Sequence, residues 1–244
     1  MRIAALSDIH GNFAALDAVL ADVGRRGCDV VVNLGDILSG PLQPAETADR
    51  LIALNLPTIR GNHERQLLET SPERMGASDR YAHEQLSEAH RNWLAGLPAT
   101  LRLSDEVFLC HGTPTSDLQY FLEDVDEAGA HPADISRVRE RAGDVPASVI
   151  FCGHTHMQRA VQLDDSRLVV NPGSVGLQAF QWDQPRPHTM AMQSPHARYA
   201  VVTQTRHGWS VDLIALDYDW ESAAHLAEQR QRPEWATALR TGRL

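Results

Sequence analysis

The spacing of apolar residues changes along the chain, and each change predicts an element. Ile3 to Leu6 is a short apolar run that reads as a strand. Phe13, Leu16, Leu20 and Val23 then recur at helical spacing and mark a core-facing stripe. Gly24 and Gly27 are the expected stop. Val30, Val31, Val32 and Leu34 form a second run, β-branched and expected to be buried on both faces. Pro44 to Leu54 reads as a helix and Leu56 to Ile59 as a third short strand. Strand, helix, strand, helix, strand in this order implies parallel pairing through right-handed crossovers.

Further along, Ser78 to Leu97 reads as one long polar helix ended by Pro98, and Val107 to Cys110 as a strand. Thr113 to Gly129 reads as a loop with a short helix, and Ala133 to Ala142 as a charged helix. Strands follow at Val149–Cys152, Ala160–Leu163 and Leu168–Val170. Gln178 to His196 carries Pro185, Pro187 and Pro195 and reads as a long loop, with His188 and His196 expected in solvent, the alternative being that they fold over the site. Tyr199–Val202 and Trp209–Leu216 suggest a closing antiparallel hairpin, and Trp220 onward a terminal helix. No repeat, low-complexity tract or linker interrupts this order. One domain over 1–244 is expected, with 217–244 as a helical extension packed on it.

At 244 residues the chain is long enough to bury a sizeable core. The formal net charge is −10, and every basic residue is Arg. That balance argues against broad binding to a nucleic-acid backbone. The lack of Lys excludes Schiff-base and P-loop lysine chemistry. Three sparse cysteines, Cys28, Cys110 and Cys152, form neither a disulfide framework nor a zinc ribbon. No apolar run approaches the roughly 20 residues of a membrane span. With no signal peptide before Ile3, a cytoplasmic location is expected.

The polar residues at the ends of the strands change the picture. Asp8 and His10 follow the first strand, and Asp36 follows the second inside NLGD. Asn62, His63 and Glu64 follow the third inside GNHE. His111 follows the Val107 strand inside CHG, and His154 and His156 follow the Val149 strand inside CGHTH. Open α/β sheets bind ligands at the carboxyl ends of their strands, so these groups can share one site. Carboxylate oxygen with imidazole nitrogen suits borderline divalent ions such as Mn, Fe, Zn or Ni. In extended chain, residues two apart point the same way, so Asp8 with His10, and His154 with His156, can each converge. Cys110 and Cys152 adjoin ligand-type histidines, but strand neighbours point to opposite faces, which makes them packing residues. Singly, each motif also reads as an ordinary turn, cap or surface pair; it is the five together, in order, that point to a site.

DIH, GD, GNHE, CHG and GHTH in this order resemble the calcineurin-like metallophosphoesterase superfamily, over Ser7 to Gly176. SDIHGN, GNHE and GHTH followed by NPGS are similar to its small bacterial branch, which includes phosphodiesterases and diadenosine-polyphosphate hydrolase-like proteins. The resemblance implies an α/β fold, a four-layer α-β-β-α sandwich of two mixed β-sheets flanked by helices, and a dinuclear centre. It implies Asp8, His10 and His156 on the first metal, Asn62, His111 and His154 on the second, and Asp36 bridging them. Two divalent ions are expected, manganese foremost. His63 would sit beside them without ligating, stabilising charge or protonating the leaving oxygen.

The activity so implied is hydrolysis of phosphodiester or nucleotide-polyphosphate bonds by a metal-bridging hydroxide. The alternatives are a phosphomonoesterase or a non-catalytic protein-interaction scaffold of the same fold. The partner expected is a small phosphorylated substrate, nucleotide-like ones included, with neither stable nucleic-acid binding nor a membrane. The oligomeric state stays open. Asn12 can cap the first helix or touch a substrate phosphate, and Arg65, like Arg60, can bind phosphate or stay solvated. NPGS, Asn171 to Ser174, reads as a turn bracing the ligand loops. Phosphoprotein-phosphatase relatives place an acidic residue three positions after the GD aspartate to orient the histidine; here that position is Ser39. Glu64 could orient His63 in part, or favour the dipole of a helix start. Specificity is expected in Ser78–Leu97, Thr113–Gly129 and Gln178–His196.

Overall fold

The computed structural model describes residues 1–244 and lays the chain out as two β-sheets pressed face to face. β1 (Arg2–Leu6) and β2 (Val30–Asn33) pair in parallel across α1 (Phe13–Arg26), as the strand–helix–strand order requires. Asn12 Oδ1 accepts from Ala15 N and caps α1, which runs through Gly24 and ends at Gly27. After α2 (Pro44–Leu54), the expected third strand contributes a single parallel bridge, Thr58 to Asn33. Pro57 has no N–H to lengthen that ladder.

α3 (Asn62–Glu69), α4 (Ala77–Gln85) and α5 (Glu88–Ala95) follow. The long helix expected over Ser78–Leu97 is therefore two. The break falls at Ser87, whose hydroxyl accepts from His90 N while His90 Nδ1 accepts from Ser87 N, a reciprocal cap that restarts the helix.

β3 (Leu101–Ser104) and β4 (Val107–Leu109) lead into β5 (Glu123–Asp126) and β6 (Gly129–Pro132), a small hairpin where a loop with a helical turn was expected. Next come α6 (Ile135–Ala142), β7 (Val149–Phe151), β8 (Arg159–Gln162) and β9 (Leu168–Asn171). The proline-bearing stretch expected to be a loop folds as a second hairpin, β10 (Ala179–Trp182) with β11 (His188–Ala191). Its prolines at 185 and 187 lie in the connection, where no ladder donor is needed. β12 (Ala197–Thr205), β13 (Gly208–Leu216), α7 (Trp220–Gln229) and α8 (Pro233–Thr241) complete the chain.

The first sheet has the order β13-β12-β1-β2 and the second β3-β4-β7-β9-β8, and both mix parallel and antiparallel pairs. Alternation along each strand builds the layers. Ile3 and Ala5 point between the sheets, where Val107, Phe151 and Val170 meet them. Ala4 and Leu6 point outward to a larger core shared with Leu16 and Val19 of α1. Ala224 and Ala227 of α7 and Leu239 of α8 enter that same core. On the far face Ile150 and Val169 pack with Val138 of α6. The result is an α-β-β-α sandwich. Cys110 and Cys152 are fully buried in the last layer, as free thiols. No helix is long and apolar enough to cross a membrane.

Candidate metal centre

The loops that leave β1 and β2 are laced together by their backbones. Asp8 N donates to Gly35 O, His10 N to Asp36 O and Gly11 N to Ile37 O. Glu64, fully buried, adds a third strap, because its carboxylate accepts from Asp36 N, Ile37 N and Gly61 N. The residue read as a dipole partner at a helix start thus also ties the Asp36 loop to α3. A side chain at position 61 would collide with the Asp36 carboxylate, and one at 153 with Ser7 Oγ, so both turns need glycine. The NPGS turn does brace its neighbours. Ser174 Oγ donates to Asp8 O at 2.7 Å, and Asn171 Nδ2 donates to Gly153 O and Thr155 Oγ1, both at 2.9 Å.

These loops bring the strand-end residues together in two groups. Asp8, His10 and His156 form one, and Asp36, His111 and His154 the other. In each group the possible ligand atoms all lie within 4.8 Å of one another. Asn62 and His63 line the same cavity as His10, Asp36, His154 and His156. Asp8 and His10 converge; His154 and His156 divide between the groups, as the resemblance implies and unlike the extended-chain reading. Asp8, His10, Asp36, His154 and His156 are not extended but left-handed, with φ between 51° and 69°. Non-glycine residues rarely adopt that region, and such outliers cluster at functional sites.

Hydrogen bonds fix the rings. His10 Nδ1 donates to Ser39 O, His111 Nδ1 to Leu34 O and His156 Nδ1 to Leu177 O, at 2.7–2.8 Å. Each leaves Nε2 facing the site. His154 is held through Nε2, which donates to Leu118 O at 3.1 Å. Burial, reinforced by the His156 ring, pushes the His10 pKa down to about 4. Burial, reinforced by His111, does the same for His154, also to about 4. Both rings are therefore neutral donors of a lone pair at neutral pH.

The donor set fits a cation. The lone pairs of His10 Nε2 and His156 Nε2 face one another at 3.1 Å, an arrangement that repels unless a positive centre lies between them. Asp8 Oδ1 and Asn62 Oδ1 are buried with no hydrogen-bond partner. His111 Nε2 lies 3.1 Å from Asp36 Oδ2. Burial opposes charge on that imidazole, but Asp36 outweighs it and raises the pKa to about 10.

His63 stands apart from both groups. Its backbone N donates to Asp36 Oδ1 at 3.0 Å, while its ring Nδ1 lies 2.7 Å from Asp79 Oδ1. Burial opposes its protonation, but Asp36 and then Asp79 overcome this and raise its pKa to about 9. Asp79 carries no sequence signal. It sits on α4, within a stretch singled out for specificity rather than for chemistry.

The remaining candidates are engaged elsewhere. Besides capping α1, Asn12 donates through Nδ2 to Gly176 O and Tyr218 Oη. Arg65 is held in a two-pronged ion pair by Asp117 at 2.6 and 3.0 Å. Neither lines the cavity. His188, expected in solvent, is buried, and its Nε2 accepts from Tyr120 Oη at 2.8 Å. His196 is half-buried against Trp220. Ser78, Tyr120 and the segment Ala179–Trp182 bring each of the three stretches expected to set specificity to the cavity wall.

Residues 1–195 match the model of the calcineurin-like phosphoesterase superfamily domain. An uncharacterized protein of Methanocaldococcus jannaschii is 25% identical over 260 residues, which cover 96% of this chain and 94% of that one. A metallophosphoesterase from Sphaerobacter thermophilus superposes with a TM-score of 0.73 at 24% identity, covering 99% of this chain and 100% of that one. A hypothetical protein from Pyrococcus horikoshii OT3 does so with a TM-score of 0.74 at 20% identity, over 99% and 98% of the two chains.

Proposed function

This chain belongs to the calcineurin-like phosphoesterase superfamily, and on that footing we propose that it is a metal-dependent phosphodiesterase with two divalent ions. Asp8, His10 and His156 would hold the first ion, Asn62, His111 and His154 the second, and Asp36 would bridge them. Manganese is the ion we expect for this nitrogen and oxygen set. The observation that carries the reading is the opposed lone pairs of His10 and His156 at 3.1 Å, beside buried ligand oxygens that have no other partner.

When bound, the ions supply Lewis-acid charge that acidifies water and neutralises phosphoryl oxygens. The remaining work falls to the chain. His63 projects into the cavity with Nδ1 committed to Asp79, so Nε2 is the atom that gives a proton to the leaving oxygen as the P–O bond breaks. Asp79 fixes the ring and favours its charged form. Glu64 holds the Asp36 loop in register with α3, and so holds Asp36 and His63 in register with each other.

The test is turnover of bis(p-nitrophenyl) phosphate by metal-stripped protein, before and after Mn²⁺ is added. Activity that appears with Mn²⁺ and disappears with chelator is expected. A protein that binds Mn²⁺ at this site but cleaves neither diester nor monoester would be a scaffold, and the proposal would fail.

A further inference from the structure

A cavity of about 310 Å³ opens directly from the metal-type residues. Its lining is not polar throughout. The β10–β11 hairpin supplies Phe180, and α8 supplies Trp235. Both rings abut the histidines. The Phe180 centroid lies 4.6 Å from that of His156, edge-on at 62°, and the Trp235 centroid 6.0 Å from that of His10, at 76°. Leu177 and Ala238 extend the apolar lining. A phosphoryl group held at the histidines would therefore have aromatic surface beside its organic substituent.

Charge narrows the ligand further. Arg232 is the one basic residue other than histidine in the lining, and Glu234 Oε1 lies 2.5 Å from its Nε. Its guanidinium is also held by Ser78 Oγ at 3.2 Å and lies over the Trp235 ring at 5.7 Å. It is ion-paired, which leaves no unpaired Arg in the lining for a second or third phosphate. The cavity also falls near the small end of ligand pockets, which run from roughly 300 to 1,000 Å³.

We infer that the substrate is a singly charged phosphodiester carrying a flat aromatic group, which packs against Phe180 and Trp235. This rests on the phosphodiesterase reading and selects within it, against polyphosphate chains. The aromatic group is a simple aryl ring or a nucleobase; both offer the flat π-face that these side chains bind.

Non-hydrolysable phosphinates separate the two claims, because their P–C bonds cannot be cleaved. Binding of dimethylphosphinate, methyl(phenyl)phosphinate and a methylphosphinate bearing thymine on a two-carbon tether is measured by calorimetry on Mn²⁺-treated protein. A preference of roughly tenfold or more for the ring-bearing probes over dimethylphosphinate is expected. The tighter of the two ring-bearing probes identifies aryl or nucleobase. In Phe180→Ala the preference should fall below about threefold, since the stacking partner is gone. Trp235→Leu should act alike, and Phe180, being only partly buried, serves if that variant fails to fold. Equal binding of the three probes overturns the inference even if diesters are hydrolysed. A ring preference without turnover of any ester leaves this cavity assignment standing and removes the phosphodiesterase reading. Faster turnover of a dinucleoside tetraphosphate than of bis(p-nitrophenyl) phosphate overturns the single-phosphoryl part.

Discussion

His63 Nδ1 and Asp79 Oδ1 lie 2.7 Å apart, joining α3 to α4 across sixteen residues of sequence. Relatives that act on phosphoproteins draw the equivalent carboxylate from three positions after the GD aspartate. Here Ser39 occupies that position, and its carbonyl accepts from His10 Nδ1 instead. The carboxylate within reach of the His63 ring comes instead from α4. Asp79→Asn should lower turnover roughly 10- to 100-fold while metal content stays near that of the unmodified protein. The loss should be larger for alkyl than for nitrophenyl leaving groups, because nitrophenolate needs no proton. Equal losses for both would mean that Asp79 does not act through proton donation by His63.

Asp36→Asn should reduce metal binding more than Asp8→Asn does. A bridging carboxylate serves two ions and screens their repulsion, whereas a terminal one serves a single ion. Metal analysis after matched dialysis measures both. Equal loss in the two variants would count against Asp36 as the bridge.

Mn²⁺ should raise the melting temperature of stripped protein. Each site at about a hundredfold excess over Kd contributes about 2.7 kcal/mol, and in a chain of this size 1 kcal/mol moves Tm by about 2–4 °C. Two sites therefore predict a rise on the order of 10 °C or more by calorimetry, lost in Asp36→Asn. No change in Tm across the titration would contradict binding within the fold.

Glu123 gives a pH-dependent prediction at a residue outside the proposed ligands. Its burial outweighs the lowering effects of Thr155 and Arg159 and pushes its pKa up from 4.5 to about 7. The folded state thus binds this proton more tightly than the unfolded state does. The contribution of this group to stability is complete below pH 4.5 and is lost as pH rises through 7, by about 3 kcal/mol. Glu123→Gln should therefore stabilise the protein at pH 8 and make little difference at pH 4.5. Urea unfolding of both proteins at each pH, with chelator present, measures this. A Glu123→Gln variant less stable at pH 8 would show that the ion pair with Arg159 outweighs burial.

The sequence singled out the candidate ligand residues because each group interrupts an apolar run, and a carboxylate or imidazole at a strand end has few structural reasons to be there. Most strands were legible from the spacing of those runs, but that spacing fits one large sheet as well as two, and the two-sheet sandwich came from the resemblance. Asp79 was invisible, since an Asp near a helix start has an ordinary capping explanation. The β10–β11 hairpin was hidden by its prolines, although Ala179 to Trp182 and His188 to Ala191 each span only four residues, too few for a period of two to stand out. The break at Ser87 was masked because apolar residues recur on both sides of it.

The left-handed backbone at Asp8, His10, Asp36, His154 and His156 bears on how this protein can be engineered. Holding a histidine in that region costs about 1–2 kcal/mol that glycine would not incur. A redesign guided by backbone geometry alone would rank glycine at these positions among its most attractive changes. Each one accepted would relieve the backbone but open a cavity and remove hydrogen bonds such as that of His10 Nδ1 to Ser39 O, and the constellation that distinguishes the protein would be gone. These positions have to be frozen by hand before any optimisation begins.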